Sequence, residues 1–169
     1  VGNVGEKFLA QINQQKKYIK ENLKLKIRVI GVSNSRQMFF DENGIDLTNW
    51  KELLKNGEKA GIDSYFSRVS KLNLRNSVFI DITANQNVSE MYEAYLRQNI
   101  AVVTCNKIAC ASSSENYNTL KKVSRKSNVS FLYETNVGAG LPIIDTLKNL
   151  IASGDRVHKI QAVLSGSLN

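Results

Sequence analysis

The sequence is poor in the residues that cross-link or rigidify small proteins: its 169 residues include two cysteines, one proline, one tryptophan and one histidine. Two cysteines are too few for a disulfide framework and are typical of a reducing compartment such as the cytosol. No apolar run reaches the ~18 residues of a membrane span. The first ten residues, interrupted by Glu6 and Lys7, do not resemble a signal peptide. These absences predict a cytoplasmic protein without membrane association.

What is present is an ordinary globular composition with a basic bias. Hydrophobic residues make up 42% and charged residues 22% of the chain, which is long enough for one domain with its own core. The net charge of +8 would attract polyanions such as nucleic acid, anionic lipid or a phosphate-rich cofactor. The basic residues are dispersed and lack the interleaved aromatic platforms of single-strand binders. A solvated basic surface therefore explains the charge better than a nucleic-acid partner.

Apolar periodicity predicts helices and strands that alternate along nearly the whole chain. Helices are predicted at 4–22, 50–60, 61–74, 88–98, 114–126 and 141–153. Strands are predicted at 26–32, 77–82, 100–104, 130–133 and 157–165, and a polar loop at 33–49. Such alternation is typical of right-handed βαβ units, so the sequence predicts an α/β, Rossmann-like fold. Its sheet would be doubly wound and mostly parallel, with helices on both faces.

A glycine pattern opens the chain directly before the first predicted helix. Gly2-Asn3-Val4-Gly5 fits the last four positions of G-x-G-x-x-G, the dinucleotide-binding turn. The second glycine of that motif lets the backbone approach a pyrophosphate at the helix N-terminus. The first glycine would precede Val1, so we expect the chain to lack the first strand. An ordinary helix start is the alternative, but the βα context favours cofactor binding by Gly2, Asn3 and Val4.

The residues after the next predicted strand bear on the choice of cofactor. NAD-binding sites usually have a carboxylate there to hold the ribose hydroxyls, but here no carboxylate occurs before Asp41. Asn34 could hydrogen-bond a ribose, and the planar guanidinium of Arg36 could pair with a 2′-phosphate. A solvated loop arginine is the alternative. The pattern predicts that NADP binds at least as well as NAD, which stays open as the alternative cofactor.

Another strand is predicted to end in Asp81-Ile82-Thr83-Ala84. Ligands of doubly wound sheets lie at the carboxyl ends of the strands, which places Thr83 and Ala84 on the nicotinamide-ribose side. Asp81 has a simpler interpretation as the cap of the following helix.

Further segments carry a family resemblance. Val103-Thr104-Cys105-Asn106-Lys107 and Glu134 to Pro142 (ETNVGAGLP), together with the segments GNVG, GVSNSR and DITA, resemble homoserine dehydrogenase. The likeness extends over nearly all 169 residues and is greatest to the dehydrogenase half of bifunctional aspartokinase–homoserine dehydrogenases.

The resemblance implies an oxidoreductase that interconverts L-homoserine and L-aspartate 4-semialdehyde by hydride transfer with NAD(P), in threonine and methionine biosynthesis. Residues 1–169 would form its NAD(P)-binding domain. The substrate and dimerisation domain, with a second essential lysine, would follow residue 169 and is absent from this sequence. The chain alone is therefore expected to be inactive, and the complete protein to be a homo-oligomer. A non-catalytic NAD(P)-binding regulatory module is the alternative.

The resemblance also implies roles for individual residues. Lys107 would lie beside the nicotinamide and the substrate, where a lysine can hydrogen-bond the reacting oxygen or direct its proton. The family's substrate region would begin at Ser165, Gly166 and Ser167.

A monovalent-cation site, expected to bind sodium, is implied at Glu134, Val137, Ala139 and Leu141. Three of these side chains could serve only through main-chain carbonyls, while Glu134 could offer either its carboxylate or its carbonyl. Ligation by oxygen alone suits a hard cation.

Cys105, Cys110 and His158 suggest two other chemistries, and both are disfavoured. A zinc site would require four close ligands, and a thiol nucleophile would require a base and an oxyanion loop. His158 is predicted to be a partly buried strand residue. The cysteines are predicted to be buried, inert thiols.

Overall fold

A computed structural model describes residues 1–163, and the chain divides into two compact units, Val1–Arg75 and Asn76–Asn169. The expected substrate contacts Ser165, Gly166 and Ser167 lie outside the described residues. No helix in the described part of the chain has the length and hydropathy needed to cross a bilayer.

The first unit combines three helices with a small antiparallel sheet. The sequence predicts instead one strand of a parallel sheet, at 26–32, followed by a polar loop. Its elements are α1 (Asn3–Asn22), β1 (Gly31–Ser33), β2 (Gln37–Phe40), α2 (Trp50–Lys55), β3 (Glu58–Lys59) and α3 (Ile62–Leu72). The strand order is β1-β2-β3 and both pairings are antiparallel. The prediction of a continuous loop at 33–49 was wrong, since Met38 and Phe40 alternate with less buried neighbours along β2. This two-residue periodicity is typical of a strand.

The turn between β1 and β2 is made by Asn34. Its side-chain Oδ1 accepts hydrogen bonds from the amide of Arg36 at 2.7 Å and from that of Gln37 at 2.8 Å. Its own amide donates to the carbonyl of Gln37 at 2.9 Å. Asparagine favours such turns because its short amide can replace a backbone partner.

Helix α1 covers one face of this sheet. Leu9 of α1 is buried in a cluster with Val32 of β1, Ile45 and Leu54 of α2. The predicted helix at 4–22 is therefore confirmed, and its apolar face forms the core of the first unit. The strand predicted at 26–32 begins later than expected, because β1 comprises only Gly31–Ser33.

The second unit is a parallel sheet packed with helices, which confirms the predicted α/β class. Its elements are β4 (Val78–Asp81), α4 (Gln86–Glu90), α5 (Tyr92–Arg97), β5 (Ala101–Thr104), α6 (Ile108–Ala111), α7 (Ser114–Ser127), β6 (Phe131–Leu132), a 3₁₀ turn (Glu134–Asn136) and α8 (Ile144–Ala152). Strand β5 lies between β4 and β6, and both pairings are parallel.

Several predicted boundaries in this unit were wrong. The helix predicted at 88–98 is divided at Met91 into α4 and α5. The strand predicted at 157–165 is absent over its described residues, 157–163, where Val157 and Val163 are 43% and 72% exposed. Among the described residues this segment has no strand partner, so its apolar pattern alone does not make it a strand.

The core of the second unit lies between the sheet and the pair α5 and α7. Leu96 of α5 is fully buried, as are Val102 of β5 and Leu120 of α7. Phe79 and Tyr95 stack with their ring centroids 4.0 Å apart. These contacts join the parallel strands to their covering helices and fix the edge at which the strands end.

We expect Leu96→Ala to lower the free energy of unfolding by about 2–5 kcal/mol, because it leaves a cavity in the tightest part of this core. Urea unfolding followed by circular dichroism measures the loss. Leu150→Ala is the matched control, since Leu150 is 41% exposed on α8 and should cost no more than about 0.5 kcal/mol. Equal losses in the two variants would contradict this description of the core.

Candidate functional site

Two parallel strands of the second unit end side by side. Asp81, the last residue of β4, pairs in register with Thr104, the last residue of β5. The amide of Cys105 donates to the carbonyl of Asp81 at 3.1 Å. The loops that carry Thr83 and Lys107 therefore leave the same edge of the sheet, the usual ligand edge of doubly wound folds.

Four buried polar side chains lie beneath these loops; we call Asp81, Tyr92, Thr104 and Asn106 the strand-end network. The carboxylate of Asp81 accepts hydrogen bonds from the Tyr92 hydroxyl at 2.5 Å and from Asn106 Nδ2 at 3.0 Å. The Tyr92 hydroxyl also lies 2.7 Å from Thr104 Oγ1. Burial, followed by the hydrogen bond to Asp81, raises the pKa of Tyr92. Its phenol therefore remains protonated and can donate to the carboxylate.

The suggestion that Asp81 caps the following helix was wrong. Asn85 is the cap of α4, and its side chain accepts from the amide of Val88 at 3.2 Å. Asp81 Oδ1 instead accepts from the amide of Thr83 at 2.8 Å and so shapes the loop before α4.

The structure places Thr83, Ala84 and Lys107 at one edge, and all three are exposed. Asn106 links their loops, because its Nδ2 also donates to the carbonyl of Asn85 at 3.0 Å. Lys107 is the N-cap residue of α6. This arrangement leaves the lysine side chain accessible to a ligand lying over the strand ends.

The loop after β6 reaches the same edge. Asn136, in the 3₁₀ turn, donates through Nδ2 to the carbonyl of Asn106 at 3.3 Å. The carboxylate of Glu134 accepts from the amides of Ile144 at 2.9 Å and Asp145 at 2.8 Å. Glu134 thus satisfies amides that the first turn of α8 would otherwise leave unpaired. The main-chain carbonyl of Glu134 also has a partner, since it accepts from the amide of Val137 at the longer distance of 3.4 Å.

The rest of this loop turns sharply through left-handed backbone. Gly138 has a φ of +70° and Ala139 a φ of +52°. The amide of Leu141 donates to the carbonyl of Gly138 at 3.0 Å. The carbonyl of Leu141 in turn accepts from the amide of Ile143 at 3.0 Å. Such a turn can present successive carbonyls to one side, as an oxygen-only cation site requires.

In the first unit, the glycine turn has the features of a phosphate site. Gly2 is the N-cap residue of the 20-residue helix α1, and no side chain caps the helix. A Cβ added at Gly2 would meet no atom within 4 Å, so the turn is open. The backbone nitrogen of Val1 donates to the carbonyl of Ser33, which joins this turn to the end of β1. The first turn of α1 therefore offers amides and a positive helix end to an anion.

Asn34 and Arg36 lie in the hairpin turn that follows Ser33. Arg36 is exposed, as recognition of a phosphate would require. Because Asn34 Oδ1 is occupied within the turn, a ribose contact would have to come from its amide nitrogen, which is a donor.

The described residues give no support to thiol or zinc chemistry. Cys105 and Cys110 are free and half-buried, and burial raises the pKa of both thiols. Since the thiolate is the nucleophile, a raised pKa makes them less reactive. The prediction that His158 is a partly buried strand residue was wrong, because it is exposed and outside any strand. No group of three or more His, Cys, Asp and Glu side chains suited to a metal occurs within residues 1–163.

Comparison with known proteins decides the family. Residues 1–134 match the family model described as "Homoserine dehydrogenase, NAD binding domain". The chain belongs to the homoserine dehydrogenase family. It carries the NAD-binding domain of that family, as its parallel sheet and glycine turn lead one to expect.

Curated relatives agree with this assignment. The bifunctional aspartokinase/homoserine dehydrogenase of Haemophilus influenzae is 40% identical over the whole chain, which spans 21% of that relative. A bifunctional chloroplastic relative from Arabidopsis thaliana is 39% identical over 99% of the chain, which spans 19% of it. The homoserine dehydrogenase of Schizosaccharomyces pombe is 33% identical over 99% of the chain, which spans 45% of that relative. The chain thus spans less than half the length of each of these three relatives.

Solved structures show the same fold. A Candida auris protein of unknown function superposes with a TM-score of 0.82 at 30% identity, over 99% of this chain and 46% of that one. A hyperthermophilic archaeal homoserine dehydrogenase in complex with NADPH has a TM-score of 0.71 at 22% identity, covering 88% of this chain and 46% of its own. At that identity the second likeness shows the fold alone.

Sequence reasoning missed the strand-end network as a unit. Two of its four members could have been found from the sequence. Asp81 and Thr104 end apolar strands, and a polar residue that is buried there needs a hydrogen-bond partner. The partner from α5, Tyr92, could not be found, since its position within an apolar helix face indicates only a core residue.

Proposed function

We propose that this chain is the cofactor-binding part of an enzyme that interconverts L-homoserine and L-aspartate 4-semialdehyde, with a nicotinamide cofactor, in threonine and methionine biosynthesis. The family match over residues 1–134 carries the proposal. The test is homoserine-dependent reduction of NADP⁺ by the full natural protein that carries this chain. From the family resemblance we propose that this protein is a homo-oligomer. From its two free cysteines we propose a cytoplasmic location.

Each proposed role in the second unit follows from the edge where its strands end. The nicotinamide ring supplies the hydride acceptor or donor when the cofactor is bound. Thr83 and Ala84 would flank its ribose, and Lys107 would hydrogen-bond the oxygen on the carbon that gains or loses hydride. A positioned lysine can stabilise charge on that oxygen or direct its proton. Its exposure at the helix start of α6 makes this contact accessible.

In the first unit, Gly2, Asn3 and Val4 would hold the pyrophosphate and Asn34 the ribose. The uncapped start of α1 and the open space at Gly2 fit such an anion. Arg36 would pair with the 2′-phosphate of NADPH, and Ser33 to Arg36 offers no carboxylate that would repel it.

We expect Arg36→Ala to weaken NADPH binding by about 1–3 kcal/mol, the scale of a charge-assisted hydrogen bond. NADH lacks the 2′-phosphate, so its affinity should change little. Titration calorimetry with both cofactors measures the difference. Arg75→Ala is the matched control, because Arg75 is also an exposed arginine of the first unit. Unchanged NADPH affinity in Arg36→Ala would refute this role.

We further propose a sodium site formed by main-chain oxygens of Glu134, Val137, Ala139 and Leu141. It is supported by the left-handed turn at Gly138 and Ala139 and by the engagement of the Glu134 carboxylate with α8. A crystal structure at high resolution, grown in sodium, should show an ion with only oxygen neighbours at about 2.3–2.6 Å. Carbonyls that point away from one another in that crystal would reject the site.

A further inference from the structure

The strand-end network is more polar than a sheet core requires. Its members Asp81, Tyr92, Thr104 and Asn106 are exposed by only 1%, 0%, 3% and 2%. Burying four polar side chains is costly unless each is hydrogen-bonded, and apolar residues of similar size would avoid the cost. The bonds that this network makes therefore point to something other than stability alone.

Asn106 is the hub of the network, because it bonds to both loops at the edge. Its Nδ2 donates to Asp81 and to the carbonyl of Asn85, each at 3.0 Å. Its Oδ1 accepts from the amide of Ile108 at 3.1 Å. Because Asn106 and Ile108 flank Lys107, this bond fixes the backbone on both sides of the lysine. One side chain thus joins the loop carrying Thr83 to the loop carrying Lys107.

Asp81 and Tyr92 supply the remaining side-chain bonds of the strand-end network. Asp81 Oδ1 holds the amide of Thr83 at 2.8 Å, while Oδ2 receives the Tyr92 hydroxyl and Asn106. Thr104 Oγ1 accepts from the amide of Asn106 at 2.8 Å. A shift of any member would be passed to the backbone of both loops, because every member bonds to another member.

We propose that Tyr92 and Asn106 are positioning residues for the dehydrogenase reaction, acting by holding the Thr83 and Lys107 loops at a fixed separation. The inference rests on the proposed function, since Lys107 and Thr83 are the groups assigned to substrate and cofactor. Neither Tyr92 nor Asn106 needs to touch a ligand in this role. A misplacement of about 1 Å at a reacting group can lower a rate by roughly 100-fold.

Tyr92→Phe and Asn106→Ala, made in the full natural protein, test the proposal. Tyr117→Phe is the matched control, because it removes a hydroxyl of the same unit that lies 2.6 Å from the Tyr133 hydroxyl and is not part of the strand-end network. We expect kcat for homoserine oxidation to fall roughly 10- to 100-fold in the two network variants, with KM for homoserine within about threefold of the parent. The control should retain the kcat of the parent and show a similar change in melting temperature.

Amide hydrogen exchange gives a readout besides activity. Exchange should rise at 82–86 and 105–109 in both network variants and remain unchanged over α7. A kcat within about threefold of the parent in Asn106→Ala, or exchange rising equally throughout the second unit, would overturn the proposal. If Tyr92→Phe does not fold, the kcat and the exchange pattern of Asn106→Ala alone decide whether the proposal holds. A parent without homoserine-dependent activity would refute the proposed function instead, and the exchange pattern would then decide whether the network holds the loops.

Discussion

The 169-residue chain by itself should bind NADPH without oxidising homoserine. Two carboxylates that lie at the strand-end edge, Asp81 and Glu134, are already bonded to protein groups, so neither is available to hold the ammonium group of an amino acid. The chain also spans only 21% to 45% of relatives from Haemophilus influenzae and Schizosaccharomyces pombe. Without a free carboxylate at this edge to orient the substrate, the reaction loses a proximity contribution of roughly 7–11 kcal/mol.

Fluorescence titration with NADPH and a spectrophotometric assay with homoserine and NADP⁺ check both halves of this expectation. The Haemophilus influenzae relative, assayed alongside, is the positive control. Turnover in the 169-residue chain within about tenfold of that relative would show that the substrate is held by residues of this chain. Binding of NADPH without turnover in the full natural protein as well would favour the non-catalytic module.

Lys107→Met should lower kcat for homoserine oxidation by roughly 10²–10⁴-fold in the full natural protein, the usual loss when a proton-transfer group is removed. Methionine keeps most of the length and apolar volume of the side chain but cannot donate a hydrogen bond to the reacting oxygen. NADPH affinity should change little, because Lys107 is assigned to the substrate oxygen. Steady-state kinetics and a cofactor titration on one preparation separate these effects.

Lys126→Met is the matched control for this substitution. Lys126 is an exposed lysine near the end of α7, so its loss removes the same charge from the same unit. Its kcat should equal that of the parent. Comparable losses in the two variants would assign the effect to net charge and would leave Lys107 without a specific role.

The second unit could be predicted from sequence because its signals are local. The apolar strands at 78–81 and 101–104 are short, continuous and followed by helices, as the strands of βαβ units should be. The end of α8 was also readable, since Gly154 follows it with a φ of +99°. Placing Thr83 and Lys107 at one edge then required only the rule that parallel strands end together.

The first unit was harder to predict because its structure depends on one turn. Asn34 reverses the chain with its side chain, whereas a polar run around it reads as an extended loop. The segment after residue 154 shows the opposite error, because a strand is predicted there and the described residues form none. Its alternation satisfies the pattern of a strand, yet pairing depends on a neighbour that no local pattern supplies. The strand-end network could not be predicted for a similar reason. Its member Tyr92 lies on a helix, and no local pattern shows that this helix residue bonds to the strand ends.

The turn at Asn34 also bears on how cofactor preference could change during evolution. The side chains of Ser33 and Asn34 supply the side-chain bonds that close the hairpin, whereas Ser35 and Arg36 are exposed at its tip. Exposed positions tolerate replacement at little cost in stability. On the role proposed for Arg36, a lineage could therefore exchange the residues at the tip, and with them its preference between the two nicotinamide dinucleotides, while the strands beneath keep their register. Adaptation to a different cellular redox supply would then need only one or two substitutions.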